Sequence, residues 1–303
     1  MAEKMSFGLA VAAEKGFWEA VEKAVEAERL GLGYVWFFDR PCLVYPPLLA
    51  EAAASQTSKL KLGLGLSPLL HSPADIASTM ETLLKFYGER FELCLIPGDK
   101  VQLSRVGVSL DKPGEALNLI LKAREKIKER LKAEGFSCRV WLGAQGPEML
   151  KIAGRFDGLL LNAASRKLVE WALKESNLRV EGGFQLGIIA SSYVYENFRE
   201  EVYRILRRAA AVAALGASKR LKKLLGFPEW LKQASLTEET VEKLPWEIVE
   251  NFAIFLEAEK LGDYVASLKR LGVSHLVFSH PQDFSKETIG ELASALKRLS
   301  SHG

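Results

Sequence analysis

Acidic side chains stand directly after two apolar segments of the chain, where they could transfer protons. Asp39 follows the apolar run 35–38, and Asp99 ends the turn Pro97-Gly98-Asp99. A carboxyl group that is partly buried at the end of a strand is suited to general acid catalysis, so Asp39 and Asp99 are the candidate catalytic residues. Each has a structural alternative: Asp39 shapes its loop by contacting Arg40 or the backbone, and Asp99 caps a loop.

A glycine-rich turn offers a second kind of chemistry, the binding of an anion. The sequence predicts a strand at 140–142, the turn Gly143-Ala144-Gln145-Gly146, a helix from Pro147 to about Gly154, and a buried strand at 158–161. Bare backbone amides in such a turn can approach a phosphate. The turn lacks the Lys-Ser/Thr of a P-loop and the full GxGxxG pattern, so a tight connector of an α/β protein is the alternative interpretation.

The composition disfavours several other kinds of site. The net charge of +3 over 303 residues is too small for a nucleic-acid footprint, and the basic cluster 204–223 alternates with apolar residues as a solvated or subunit-facing helix does. Three widely spaced cysteines provide neither a disulfide framework nor a CxxC metal pair. Among four histidines, only His280 and His71 could stand near strand ends, and no HxH or HExxH spacing occurs, so we expect no metal. His280 is interpreted as a loop residue.

The chain also lacks the sequence signals of a membrane or secreted protein. No apolar run approaches the roughly 20 residues that a membrane-spanning helix needs. The first residues do not form a signal peptide. We therefore expect a cytoplasmic protein that binds neither membrane nor nucleic acid.

Strands alternate with amphipathic helices along the chain. The predicted strands lie at 6–11, 34–38, 59–67, 91–96, 138–142, 159–161, 184–190 and 275–279. Eight strand-helix units in 303 residues favour a closed (β/α)8 TIM barrel over an open, doubly wound sheet. No linker rich in Pro, Gly or Ser interrupts the chain, so we expect a single domain over 1–303 with a helical insertion at about 197–243.

In such a barrel, functional residues lie at the carboxyl ends of the strands. The loops there are mostly small or polar, which suits a flat cofactor better than a metal. They are predicted at 10–13, 39–41, 67–68, 97–99, 143–147, 162–165, 191–193 and 279–281. Gly63 and Gly65 inside the third strand indicate a bulge or a close backbone approach.

Five segments resemble the bacterial-luciferase-like superfamily, and within it the archaeal 5,10-methylenetetrahydromethanopterin reductases. They are GLGYVWFFDR (31–40), KLGLGLSPLLHSP (61–73), PGD (97–99), WLGAQGPEMLKIAGRFDGLLLNAAS (141–165) and ASLKRLGVSHLVFSHP (266–281). The resemblance implies a (β/α)8 barrel that binds the deazaflavin coenzyme F420 and passes a hydride between its ring and a pterin-bound one-carbon group. An FMN-dependent monooxygenase and a non-catalytic barrel paralogue are the alternatives.

The resemblance also assigns residues to the cofactor. Gly65, Leu66 and Ser67 would support the ring, with a non-prolyl cis peptide in a bulge at Gly65-Leu66. Gly143, Ala144, Gln145 and Gly146 would meet the coenzyme phosphate, and Pro97, Gly98, Asp99, Asn162 and Ala163 would line the ring and tail. Because the superfamily commonly assembles through barrel helices, a homo-oligomer is expected, with the apolar stretch 209–215 as a candidate contact.

Three departures from the family pattern fall at the strand ends. Ala10 replaces a glutamate, Arg40 replaces the histidine of an Asp-His pair, and Leu93-Cys94-Leu95-Ile96 replaces a glycine-rich fourth strand. We expect Leu95 and Ile96 to narrow the floor beneath the ring. The lost glutamate removes a proton donor to the pterin nitrogen.

Overall fold

The computed structural model describes residues 5–40, 44–98, 100–108, 113–232 and 234–301. Asp99, a candidate catalytic and cofactor residue, lies outside the described residues. Within them the strands are β1 (Ser6–Ala10), β2 (Tyr34–Phe38), β3 (Lys61–Leu66), β4 (Phe91–Leu95), β5 (Val140–Ala144), β6 (Gly158–Asn162), β7 (Gln185–Tyr195), β8 (Ala253–Glu257) and β9 (Val273–Ser279).

Helices separate nearly all successive strands. Those of the described residues are α1 (Phe17–Leu30), α2 (Pro46–Gln56), α3 (Pro73–Tyr87), α4 (Lys100–Arg105), α5 (Pro113–Ala133), α6 (Pro147–Leu150), α7 (Arg166–Ser176), α8 (Glu200–Leu215), α9 (Lys219–Leu224), α10 (Glu229–Lys232), α11 (Glu238–Lys243), α12 (Trp246–Val249), α13 (Leu261–Lys269) and α14 (Lys286–Ser301). None of the helices in the described ranges combines the length and apolar character needed to cross a bilayer.

The strands follow the order β6-β5-β4-β3-β2-β1-β9-β7-β8, and β6 also pairs with β7. Eight parallel strands thus close on themselves with helices between them, and β8 extends beside β7. This is the TIM-barrel-like fold that the alternation of strands and helices predicts. The prediction of a single domain over 1–303 stays a prediction.

Two local predictions about the elements are wrong. Residues 191–193 were expected in a loop, but they belong to β7, which continues to Tyr195 because β8 pairs with its second half from Ser191 onward. The helix expected from Pro147 to about Gly154 is only one turn long, and a short 3-10 segment, Ala153–Arg155, follows it.

One compact unit comprises Ala10–Ala144 and Arg155–Leu160 and holds β2 to β5. Its strands pair in parallel without a register shift, so that Trp36 stands opposite Gly63 and Phe38 opposite Gly65. A Cβ at Gly63 would lie 2.1 Å from the Trp36 ring. The glycines of β3 therefore make room for two aromatic rings of β2: what approaches them closely is side chains rather than another backbone, and the regular pairing with β2 contains no bulge at this point.

A buried carboxylate ties the amino ends of three of these strands together. Glu92 on β4 accepts hydrogen bonds from the Trp141 indole at 2.7 Å and from the Arg139 guanidinium at 3.0 Å. The Tyr34 hydroxyl lies 3.4 Å from the same carboxylate. Burial and the nearby charge of Glu92 raise the pKa of Tyr34. The cluster lies at the end of the strands that stabilises such barrels rather than the end that carries catalysis.

The other compact unit comprises Met1–Leu9, Gln145–Gly154 and Leu161–Gly303. Its strand β7 pairs with β9 from Leu186 to Ser191. Beyond the end of β9, the Gln282 amide replaces a strand: its Oε1 accepts from the Val194 amide at 2.7 Å, and its Nε2 donates to the Val194 carbonyl at 3.2 Å. Nε2 also donates to the Thr288 carbonyl at 2.7 Å, so the buried side chain is fully paired.

Helix α8 contains the apolar stretch 209–215 that was expected to meet a partner subunit. Ala210, Ala211 and Ala214 are buried within the same unit, and Val212 is 46% exposed. Three of the seven residues therefore pack within their own chain, and the homo-oligomer stays a prediction.

Candidate functional site

Asp39 is held rigidly at the carboxyl ends of β2 and β3. Its backbone N–H donates to the Gly65 carbonyl at 2.8 Å. One carboxylate oxygen, Oδ2, accepts from the backbone N–H of Ser67 at 2.7 Å, and the other, Oδ1, lies 3.0 Å from His71 Nε2. Both oxygens are thus engaged, and only 5% of the side chain is exposed.

His71 is the partner of Asp39 that the sequence did not predict. A carboxylate only accepts hydrogen bonds, so Nε2 of His71 carries the proton that joins the two residues. Tyr45 packs on the imidazole with ring centroids 5.2 Å apart. The hydrogen bond to Asp39 raises the pKa of His71, partial burial opposes the rise, and the charges of Asp39 and Asp75 add to it.

Arg40 does not neutralise Asp39. Its guanidinium lies 2.5 Å from Glu14, and both side chains are more than 40% exposed. The alternative interpretation was that Asp39 shapes its loop by contacting Arg40 or the backbone. The backbone contact exists, to the Ser67 N–H, but the ionisable partner of Asp39 is His71 rather than Arg40.

The predicted cis peptide at Gly65-Leu66 is wrong. The one cis peptide in the part of the chain that the structure describes joins His280 to Pro281. β3 pairs regularly with β2 as far as Gly65 and with β4 as far as Leu66, and Phe38 occupies the space over Gly65. Ser67 is fully buried, and its Oγ accepts from the Leu69 amide at 3.3 Å.

The ends of β4 and β5 meet closely. A Cβ at Gly143 would lie 2.6 Å from Ile96 Cγ2 and 3.2 Å from Cys94 Sγ. Successive strand residues face opposite sides of a sheet, so Leu95 points away from Cys94 and Gly143. Of the two bulky side chains expected to narrow the floor, Ile96 is the one beside Gly143. Ala144 is the last residue of β5 rather than part of a loop.

Pro97 and Gly98 follow β4 and are partly exposed. Gly98 has a φ of 78°, a conformation that favours glycine, and a Cβ there would lie 3.0 Å from Leu103 on the helix that follows. The two residues are thus available at this strand end, although no described contact shows what they bind.

Gln145 and Gly146, in the other compact unit, have the properties of a binding segment. The side-chain nitrogen of Gln145 is buried without a hydrogen-bond partner among the described residues. A Cβ built on Gly146 meets nothing within 4 Å, so open space lies beside its backbone. A buried donor without an acceptor costs free energy, and a ligand oxygen would remove that cost.

Asn162 is the last residue of β6, and Ala163 begins a loop that is held by hydrogen bonds. The Ala164 N–H donates to the Asn251 carbonyl at 2.8 Å, and the Tyr264 hydroxyl donates to the Ala164 carbonyl at 2.6 Å. Ser165 caps α7 and bonds to the Asn251 side chain at 2.6 Å. The Asn162 amide group makes no hydrogen bond with a described residue, so it can bond to a ligand. The described residues hold no group of three His, Cys, Asp or Glu that could bind a metal.

Known proteins are similar to this chain in sequence, and solved structures are similar to it in fold. The 5,10-methylenetetrahydromethanopterin reductase of Archaeoglobus fulgidus is 31% identical over 186 residues, which cover 55% of this chain and 56% of that protein. The match thus spans little more than half of that relative. The same-named reductase of Methanopyrus kandleri is 25% identical over 350 residues, covering 96% of this chain and 97% of that protein.

The fold agrees with a solved structure, the coenzyme F420 dependent tetrahydromethanopterin reductase from Methanopyrus kandleri. The TM-score is 0.80 at 19% identity, with 98% of this chain and 99% of that chain covered. Residues 5–275 match the model of the luciferase-like monooxygenases. By that match, which spans most of its length, the chain belongs to the luciferase-like monooxygenase family.

Proposed function

We propose that this protein is an oxidoreductase that uses coenzyme F420 to transfer a hydride to or from a small pterin-type substrate. Two relatives are named 5,10-methylenetetrahydromethanopterin reductases, which supports the substrate class, and the solved reductase with the same fold is named as coenzyme F420 dependent, which supports the coenzyme. The structural observation that carries the proposal is the unpartnered, buried amide nitrogen of Gln145.

The residues present fit a phosphorylated, flat coenzyme. The Gln145 side-chain N–H has no acceptor among the described residues, and open space lies beside the Gly146 backbone. Gly143, Ala144, Asn162 and Ala163, together with Gly65, Leu66, Ser67, Pro97 and Gly98, would complete the contacts by resemblance. Asp99 would also contribute, as a second ionisable group.

When bound, the deazaflavin supplies a hydride carrier that exchanges two electrons at a time. The chain's own residues then bind and orient the coenzyme and the substrate, and they exclude water from the site. The β2–β3 end is suited to this because Asp39 is fixed by its backbone and by both carboxylate oxygens. Preorganised groups of this kind lose little entropy when a substrate binds.

Titration of the purified chain with oxidised F420, followed by ring fluorescence, tests the proposal. We expect saturable quenching by F420 and weaker binding of FMN. Gly146→Asp places a carboxylate against the phosphate and should abolish binding, whereas Gly114→Asp, the same change at an exposed helix position, should not.

Turnover separates the remaining alternatives. Oxidation of reduced F420 by 5,10-methylenetetrahydromethanopterin supports the reductase assignment. Binding of F420 without any turnover favours the non-catalytic paralogue, and binding of FMN alone favours the monooxygenase. Absence of binding to either coenzyme contradicts the proposal.

A further inference from the structure

We propose that His71 exchanges the proton that accompanies hydride transfer, with Asp39 as its positioning residue. This inference rests on the proposed function and names the proton-transferring group of the same reaction. It gives the β2–β3 end an imidazole although Arg40 stands where the resemblance implies a histidine.

The geometry fixes which ring nitrogen is available. Asp39 holds the Nε2–H of His71, so the proton that can be exchanged is on Nδ1. In the part of the chain that the structure describes, Nδ1 makes no hydrogen bond. The side chain of His71 is 21% exposed, so the imidazole is neither sealed in the core nor fully in solvent.

The backbone on both sides holds the imidazole in place. The His71 N–H donates to the Ser67 carbonyl at 3.0 Å, and the Ser67 N–H donates to Asp39. Tyr45 packs against the ring from the segment before α2. Both residues of the pair follow the carboxyl ends of adjacent parallel strands, which is where barrels of this class place catalytic groups.

The charges around the imidazole are predominantly negative. Asp39 faces it from the end of β2 and Asp75 from the first turn of α3. Arg40, the nearest cation along the chain from Asp39, is paired with Glu14. These surroundings favour the imidazolium form, which can give up a proton near neutral pH.

When bound, reduced F420 would supply a hydride with its electron pair to the substrate carbon. His71 transfers its Nδ1 proton to the substrate heteroatom, so the Nδ1–H bond breaks and a heteroatom–H bond forms. This leaves neutral His71 with Nε2–H still bonded to Asp39. Solvent returns one proton to His71, and this proton balances the one that the coenzyme would lose on oxidation.

A titration by NMR provides a readout that needs neither coenzyme nor substrate. In the chain labelled with 13C and 15N at histidine, the resonance lost in His71→Gln identifies His71. We expect the pKa of His71 to lie above that of free histidine, to fall in Asp39→Asn, and to stay unchanged in Lys85→Gln, an exposed control on α3. The neutral ring should be the Nε2–H tautomer, and an Nδ1–H tautomer would overturn the proposal.

Single-turnover kinetics test the role itself. With reduced F420 and 5,10-methylenetetrahydromethanopterin, His71→Gln should bind the coenzyme with unchanged affinity but lose about 100-fold or more in rate. The wild-type rate should fall as the pH rises above the pKa of His71, and this limb should vanish in the variant. Free imidazole should restore part of the rate of His71→Ala, in which space for the ring remains.

The outcomes distinguish this inference from the proposed function. If His71→Gln turns over at the wild-type rate with the same pH profile, His71 is not the proton donor and the proposed function stands. If the wild type binds F420 but does not turn over, or does not bind it, the reductase assignment and this inference both fail.

Discussion

The ring of Phe38 lies directly over the α-carbon of Gly65. A Cβ at Gly65 would come within 2.0 Å of the ring. Trp36 has the same relationship to Gly63, and the two rings stack with centroids 5.8 Å apart. The glycines of β3 are therefore required by the packing of β2.

Gly65→Ala should destabilise the protein by about 1–3 kcal/mol, because the methyl group and the Phe38 ring cannot occupy the same space. In a Phe38→Ala background, where the ring is absent, the same change at Gly65 should cost much less stability. Urea denaturation measures each difference. Gly114→Ala, at an exposed helix position, is the control and should be neutral or stabilising. Equal stability of Gly65→Ala and wild type would show that Phe38 moves away without cost.

Gln145→Met should weaken the binding of F420 without lowering the stability of the fold. The change removes a buried donor that has no partner in the described residues, so the free energy of unfolding should be unchanged or higher. Affinity for F420 should fall about tenfold, or ~1.4 kcal/mol. Thermal denaturation and fluorescence titration measure the two effects, with the exposed Gln56→Met as the control that changes neither. A large loss of stability with unchanged affinity would mean that the amide is structural.

The Asp39–His71 pair should make stability depend on pH. The pKa of His71 is raised above its unfolded value of about 6.5. The stabilisation is therefore complete below that value and is lost as the pH rises through the folded pKa. The difference in unfolding free energy between wild type and Asp39→Asn should be larger at pH 5.5 than at pH 8.5. Asp263→Asn, at an exposed carboxylate, should show a difference that does not vary over this interval.

Glu92→Ala, at the amino ends of the strands, should lower the free energy of unfolding strongly. It leaves the Trp141 indole and the Arg139 guanidinium without their acceptor, at an expected cost of about 3 kcal/mol. The matched change Glu81→Ala removes an exposed ion pair with Arg130 and should cost less than about 1 kcal/mol. Urea denaturation followed by tryptophan fluorescence tests both. Similar losses of unfolding free energy in the two variants would contradict the expectation that the buried carboxylate of Glu92 contributes more than the exposed one of Glu81.

Much of the fold could be predicted because its strands are apolar and bounded by glycine or charge. β2 lies at the predicted residues, since Gly33 precedes it and Asp39 follows it. β8 was missed although residues 252–256 form a continuous apolar run, because so short a run after a long helical stretch does not distinguish a strand from a buried helical segment. The second half of β7 was missed for the related reason that its partner is β8.

The candidate site was predicted less completely because its contacts join residues distant in sequence. Asp39 was found from its position after an apolar run, but its partner is 32 residues away. The signal that could have found His71 is topological: both residues follow adjacent parallel strands, so their loops meet. The cis peptide was predicted from a family pattern, whereas the packing of Phe38 against Gly65 is a contact between two strands, which a pattern within one segment does not show.

The amide of Gln282 has a consequence for the cohesion of the strand beside it. Where β9 ends, this side chain pairs the backbone N–H and C=O of Val194, and both residues are fully buried. An apolar side chain at position 282 would leave these two groups, and the Thr288 carbonyl, without the amide in a place that water does not reach. One glutamine thus does the work of a missing length of strand, and its replacement should show directly as a lower melting temperature.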